Sequence, residues 1–167
     1  MAEFINPQAN VFGEGYKPDS KVALLEMHRL VCMFLASKEF ATRRNGPHDV
    51  HHWLDDLQEP EQEEITRILL ATAITARVID DLNGQAFDIV APNCGLLLQG
   101  AQTQPLTIRE AFNKIIHAIK IRFDVELTEQ GQRYLEPFVY LYGKKGNVEW
   151  KATLDVMEYA RAYVVCM

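Results

Sequence analysis

From Lys21 to about Arg43 the apolar residues Leu24, Met27, Val31, Phe34 and Leu35 recur every three or four positions, the period of a helix that buries one stripe. Ser20 precedes the run and carries the hydroxyl of an N-cap. Arg43-Arg44-Asn45-Gly46-Pro47 ends it, because glycine is permissive and proline disfavours helix in the residue before it. A short helix through His51, Trp53 and Leu57 follows. Pro60 suits a first helical position, and Glu61, Glu63 and Glu64 set negative charge at the positive end of a helix dipole. Ile65, Ile68, Leu69, Thr72, Ala76 and Ile79 then form an inward stripe, with Asn83-Gly84 as the left-handed closure.

Residues 85–106 break this pattern. Pro92, Gly95, Gly100 and Pro105 surround the short apolar run Leu96-Leu97-Leu98, which predicts a long connection with one small element at most. Thr107-Ile108-Arg109-Glu110 fits a capping box, and a helix of about eleven residues begins at Ile108. Its apolar face is Ile108, Ala111, Phe112, Ile115 and Ile116.

After Ala118 the period falls from 3.6 to 2. Ile119, Ile121, Phe123 and Val125 alternate with Lys120, Arg122, Asp124 and Glu126, as in a half-buried strand. Phe138 to Tyr142 reads as a second strand and Gly143 to Asn147 as its hairpin connection. In the third, Val148, Trp150, Ala152, Leu154 and Val156 alternate with polar residues, and residues 157–167 close the chain as a short helix. Residues 1–18, with Pro7, Gly13, Gly15 and Pro18, read as an extended or flexible arm. The expectation is one α+β domain over residues 19–167: a helical, bundle-like N-terminal two-thirds followed by a three-stranded antiparallel meander.

The 167 residues suffice for one hydrophobic core. With 17 Lys and Arg against 23 Asp and Glu the net charge is -6, so a uniformly basic surface is excluded while a local basic groove is not. Cys32, Cys94 and Cys166 are odd in number and far apart, which argues against a disulfide framework and a thiolate zinc site. No signal-like or membrane-length apolar run occurs, so a cytoplasmic, membrane-free protein is expected. No P-loop, nucleophile elbow or dinucleotide fingerprint appears, and no cofactor is implied.

Arg109, Asn113 and His117 are spaced four apart, within an arc of about 80° on the polar side of their helix. Arginine grips phosphate, an amide orients a hydroxyl, and imidazole moves a proton near neutral pH, so the trio suits phosphodiester chemistry. The plainer alternative is that Asn113 and His117 form a structural pair. Residues 106–118, LTIREAFNKIIHA, resemble the motif helix of HEPN-domain proteins, marked by an Arg and a His a few residues apart, often with Asn or Asp after the Arg. Asn113-Lys114-Ile115-Ile116-His117 matches the Asn-x-x-x-His part; Phe112 stands where the family has arginine, and Arg109 is the arginine upstream. The resemblance implies a small helical bundle, commonly a homodimer, whose active members are metal-independent ribonucleases.

Two further groups carry chemistry. His48, His51 and His52, with Asp55 and Asp56 downstream, have donor types for a metal-dependent hydrolase, although their spacing matches no established pattern. Lys120, Arg122, Lys144, Lys145 and Lys151 form a basic set, beside which Tyr134, Tyr140 and Tyr142 can stack bases. Trp150 has the parity of a core residue. Together these features point to a HEPN-like domain that binds RNA or a phosphate-bearing ligand through Lys120, Arg122, Lys144 and Lys145. Weak cleavage would fall to His117, Arg109 and Asn113. A dimerisation or protein-interaction module built on the same helix, and the metal-dependent hydrolase, are the alternatives.

Overall fold

The computed structural model describes residues 19–44, 52–82 and 92–166. The expected N-terminal arm, the Asn83-Gly84 closure, His48 and His51 lie outside them. Helix α1 spans Ser20–Arg43, and its N-cap is Asp19 rather than Ser20: the carboxylate accepts the Lys21 N–H at 2.9 Å. The buried line is Ala23, Met27, Leu30, Phe34, Ser37 and Ala41. It is rotated from the expected stripe: alternating steps of four and three through Met27 and Phe34 lead to Ala23, Leu30, Ser37 and Ala41, and Leu24 and Leu35, each one residue or about 100° further round the helix, are left exposed.

Helix α2, Trp53–Gln58, is capped by His52, whose Nδ1 accepts the Leu54 N–H while Asp55 accepts the His52 N–H. Helix α3, Glu61–Leu82, buries Ile65, Ile68, Leu69, Thr72, Ala73, Ala76 and Asp80. All six stripe residues expected for it are buried or, for Ile79, packed at the margin of the core, and Thr72 satisfies its hydroxyl on the Ile68 carbonyl.

Among the described residues five strands follow, not the three expected. Strands β1 (Asn93–Gln99) and β2 (Gln102–Thr107) form a hairpin inside the segment expected to be a connection. Gly95 sits at a bulge with φ +149°, and a β-carbon there would overlap the Thr153 carbonyl oxygen of the neighbouring strand. Pro105 is tolerated because β2 is an edge strand. Helix α4, Ile108–Ile116, begins with the expected cap, Thr107 Oγ1 accepting the Glu110 N–H at 3.4 Å.

Strands β3 (Lys120–Leu127), β4 (Arg133–Lys145) and β5 (Val148–Asp155) make the expected meander, though β4 is far longer than Phe138 to Tyr142. The all-antiparallel sheet has the order β2-β1-β5-β4-β3, so β5 joins the two hairpins at the centre. Val156 does not extend β5. It opens helix α5, Val156–Cys166, whose first turn is held by Asp155 accepting the N–H groups of Met157 and Glu158. Helices are therefore not confined to the N-terminal two-thirds: α4 lies between strands and α5 comes last.

The core lies between the sheet and helices α1, α3, α4 and α5. Leu97, Val139, Leu141, Ala152 and Leu154 are fully buried on that side. Phe112, Tyr159 and Tyr163 pack edge to face or tilted, with centroids 6.0 Å apart. Trp150 joins the core, as its parity predicts.

Candidate nucleic-acid interface

Alternation along β4 and β5 sends Val139, Leu141, Ala152 and Leu154 toward the helices. The residues between them face the other way, and among the described residues no helix covers that side. Leu96 and Leu98 on β1 are accordingly 54% and 41% exposed in the middle of a five-stranded sheet.

The strand register sets the chemistry of this outer face. Lys120 pairs with Tyr142, Tyr142 with Lys151, and Lys151 with Leu98. One step along the pleat, Arg122 pairs with Tyr140, Tyr140 with Thr153, and Thr153 with Leu96. The Lys151 ammonium lies 4.5 Å from the Tyr140 ring centre and 5.9 Å from that of Tyr142, and the Arg122 guanidinium lies 6.0 Å from Tyr142. Lys120, Arg122 and Lys151 have no carboxylate partner among the described residues. Tyr140 donates to Asp124 at 3.1 Å, and burial together with this bond holds its phenol above the ordinary value.

Other members of the basic and aromatic set fall elsewhere. Lys144 pairs with Glu149 at 3.1 Å, and Lys145 is exposed beside the β4–β5 turn. Tyr134 is buried, donates to Glu126 at 2.9 Å and lies under the Lys38 ammonium.

The α4 trio is not on this face. Arg109 binds the fully buried Asp80 at 3.1 Å and approaches Asp81 at 4.0 Å, tying α4 to α3 on the helical side. Asn113 donates to Glu110 at 3.4 Å. His117 is the exposed C-cap at the far end of α4, its backbone N–H donating to the Asn113 carbonyl. A separation of two helical turns, about 12 Å of rise, thus divides the arginine from the imidazole. The same helix carries Lys114, a residue the sequence did not single out. Its ammonium is buried over the Trp150 indole at 4.5 Å and bound to Glu110 at 3.0 Å.

A cleft opens between α1, α2, the start of α3 and the free ends of β3 and β4. This cleft of about 820 Å³ includes Glu61, Ser37, Asp55, Arg133, Tyr134 and Leu127. Burial pushes the Glu61 carboxyl up to about 7, against the opposing effect of the Ser37 hydroxyl at 3.5 Å. Ser37 in turn accepts the Leu135 N–H at 3.0 Å. A serine at a stripe position, between Phe34 and Ala41, is the signal that locates this junction.

In the histidine-rich segment, His52 and Asp55 cap α2, and Asp55 also holds Arg44 at 3.0 Å. Among the described residues no group of three His, Cys, Asp or Glu side chains is placed to hold a metal ion. No helix among them is long and apolar enough to cross a membrane. Compared with protein-family models, curated proteins and solved structures, the chain matches none.

Proposed function

We propose that this protein binds single-stranded nucleic acid, RNA foremost, on the outer face of its sheet. The observation that carries the proposal is the placement of Tyr140 and Tyr142 between Lys120 and Arg122 on one side and Lys151 on the other. Bases of every sequence present a π-face to a tyrosine, and the cations beside it attract the phosphates. A net charge of -6 does not oppose this, because screening limits repulsion to about 8 Å at physiological salt and the cations are local.

The HEPN resemblance adds an enzymatic extension, with exposed His117 as the proton carrier. Arg109 would have to leave Asp80 to meet a phosphate, so binding has stronger geometric support than cleavage. A homodimer that buries Leu96 and Leu98 is the alternative use of the same face, favoured by their exposure.

The deciding experiment is fluorescence anisotropy with a labelled eight-nucleotide single-stranded RNA and with its duplex, across a salt series. Preferential binding of the single strand, lost in Tyr140→Ala/Tyr142→Ala, is the expected result. Equal binding by that variant rejects the proposal. Incubation with RNA in chelator separates cleavage from binding: degradation that persists unchanged in His117→Ala rejects the role given to His117. Sedimentation equilibrium of the free protein reports the dimer.

A further inference from the structure

The outer face carries the same four-part order twice. Reading from β3 inward, the first row is a cation, a tyrosine, a hydrogen-bonding group and a leucine: Lys120, Tyr142, Lys151 and Leu98. The second row repeats it with Arg122, Tyr140, Thr153 and Leu96. Resting on the nucleic-acid proposal above, we infer that each row is a subsite for one nucleotide. The sugar–phosphate backbone then runs along β3 and the bases lie across β4 toward β1.

The direction follows from where the charges are. Phosphates need exposed cations without a carboxylate partner, and the first two outer positions of β3 supply them among the described residues, Lys120 and Arg122 being exposed, while the carboxylate of the next, Asp124, is engaged by the Tyr140 hydroxyl. The opposite end of each row is a leucine, which offers a phosphate nothing and a base edge an apolar floor. Between them the tyrosine rings lie on the central side of the cations, where the base attached to each nucleotide would fall. Alternate residues on a strand are about 6.8 Å apart, a step that an unstacked nucleotide chain spans. Adjacent subsites therefore take successive nucleotides rather than distant ones.

The third position separates the two subsites. Lys151 presents an ammonium in the first row, whereas Thr153 presents a hydroxyl in the second. An ammonium only donates, so the first subsite favours a base with acceptors on its edge; a hydroxyl both donates and accepts, so the second discriminates less. In the free protein the Lys151 ammonium lies over the Tyr140 ring, and an incoming base at the second subsite displaces it toward the first.

The ends of the rows are chemically different, so they can be tested apart. The measurement is the binding of a labelled eight-nucleotide RNA as a function of salt, with folding of each variant checked by circular dichroism. Lys120→Gln/Arg122→Gln is expected to reduce the slope of log affinity against log salt by about 1.4, two phosphates at about 0.7 each for a single strand. Leu96→Ser/Leu98→Ser is expected to weaken binding several-fold with the slope unchanged. An unchanged slope in the first variant, while the tyrosine double variant abolishes binding, overturns the orientation but leaves the nucleic-acid proposal standing. Absence of RNA binding by the wild-type protein at low salt overturns both. If Leu96→Ser/Leu98→Ser instead converts a dimer to a monomer without weakening RNA binding, the leucines belong to a subunit interface and the row assignment fails.

Discussion

Gly143 and Trp150 are register partners on β4 and β5, and the indole occupies the space where a β-carbon on Gly143 would stand. Glycine is needed there for room, not for a special backbone angle. The ring so placed supports the Lys114 ammonium, which Glu110 neutralises from the same helix. One missing side chain thus permits a contact between the sheet and α4.

Gly143→Ala is expected to force the indole aside and destabilise the fold by about 1–3 kcal/mol, the usual cost of overpacking. Urea denaturation measures it, with the tryptophan emission shifting to the red as Trp150 becomes wetter. A variant as stable as the wild type, with unchanged emission, would show that the ring has another place to go.

Glu61 ties stability to pH in an unusual direction for a carboxylate. Its folded value, about 7, lies above the ordinary 4.5, so between these values the folded state holds more proton than the unfolded one. Stability contributed by the neutral carboxyl is full below about pH 4.5 and is lost as pH rises through about 7. Glu61→Gln removes the dependence: at pH 8 it should be more stable than wild type by on the order of 1 kcal/mol after allowing for partial solvent screening. At pH 4.5 the difference should vanish. Urea midpoints at the two pH values decide it.

Asp80 is fully buried and is approached by Arg109 at 3.1 Å and Arg77 at 3.5 Å. Arg109→Ala removes the shorter of these two ion pairs and is expected to cost about 3 kcal/mol, the lower end for breaking a buried pair. Thermal unfolding tests it, and Arg109→Ala/Asp80→Asn should recover much of the loss. Any drop in RNA cleavage caused by Arg109→Ala alone must be compared with that double variant, since a loosened α3–α4 junction would lower activity indirectly.

On the sheet, Tyr142→Ala and Tyr140→Ala should each weaken single-stranded RNA binding by about 1–3 kcal/mol, the value of one stacked base. Tyr140→Phe retains the ring and loses only the bond to Asp124, so its affinity should match that of wild type. Anisotropy titrations distinguish the two effects. Equal losses for the alanine and phenylalanine variants would assign the contribution to the hydroxyl instead of the ring.

Much of this architecture is legible in the sequence wherever one face is buried and the other wet. The alternation from Ile119 to Glu126 and from Val148 to Asp155 identifies two strands, and Thr107 with Glu110 marks the start of α4. The β1–β2 hairpin is not legible, because Gly95, Gly100 and Pro105 are turn formers in any local reading. Only the edge position of β2 and the close passage of the Thr153 carbonyl explain why Pro105 and Gly95 stand in strands, with Gly100 alone in the turn between them. The candidate site divides in the same way. Its lysines, arginine and tyrosines stand out by type, but their shared face depends on pairings between strands, and the commitment of Arg109 to Asp80 depends on a residue twenty-nine positions earlier.

The central place of β5 has a bearing on how the chain is made. Hairpin β1–β2 and hairpin β3–β4 do not pair with each other; each meets only β5, which follows both in the sequence. Until residues 148–155 have left the ribosome the sheet exists as two separate halves, with Leu97 and Val139 lacking the strand that brings them into one layer. Folding of the sheet is therefore held back until β5 has been made. During that interval the exposed edges of β1 and β4 are the surfaces most open to capture by a chaperone or by another nascent copy.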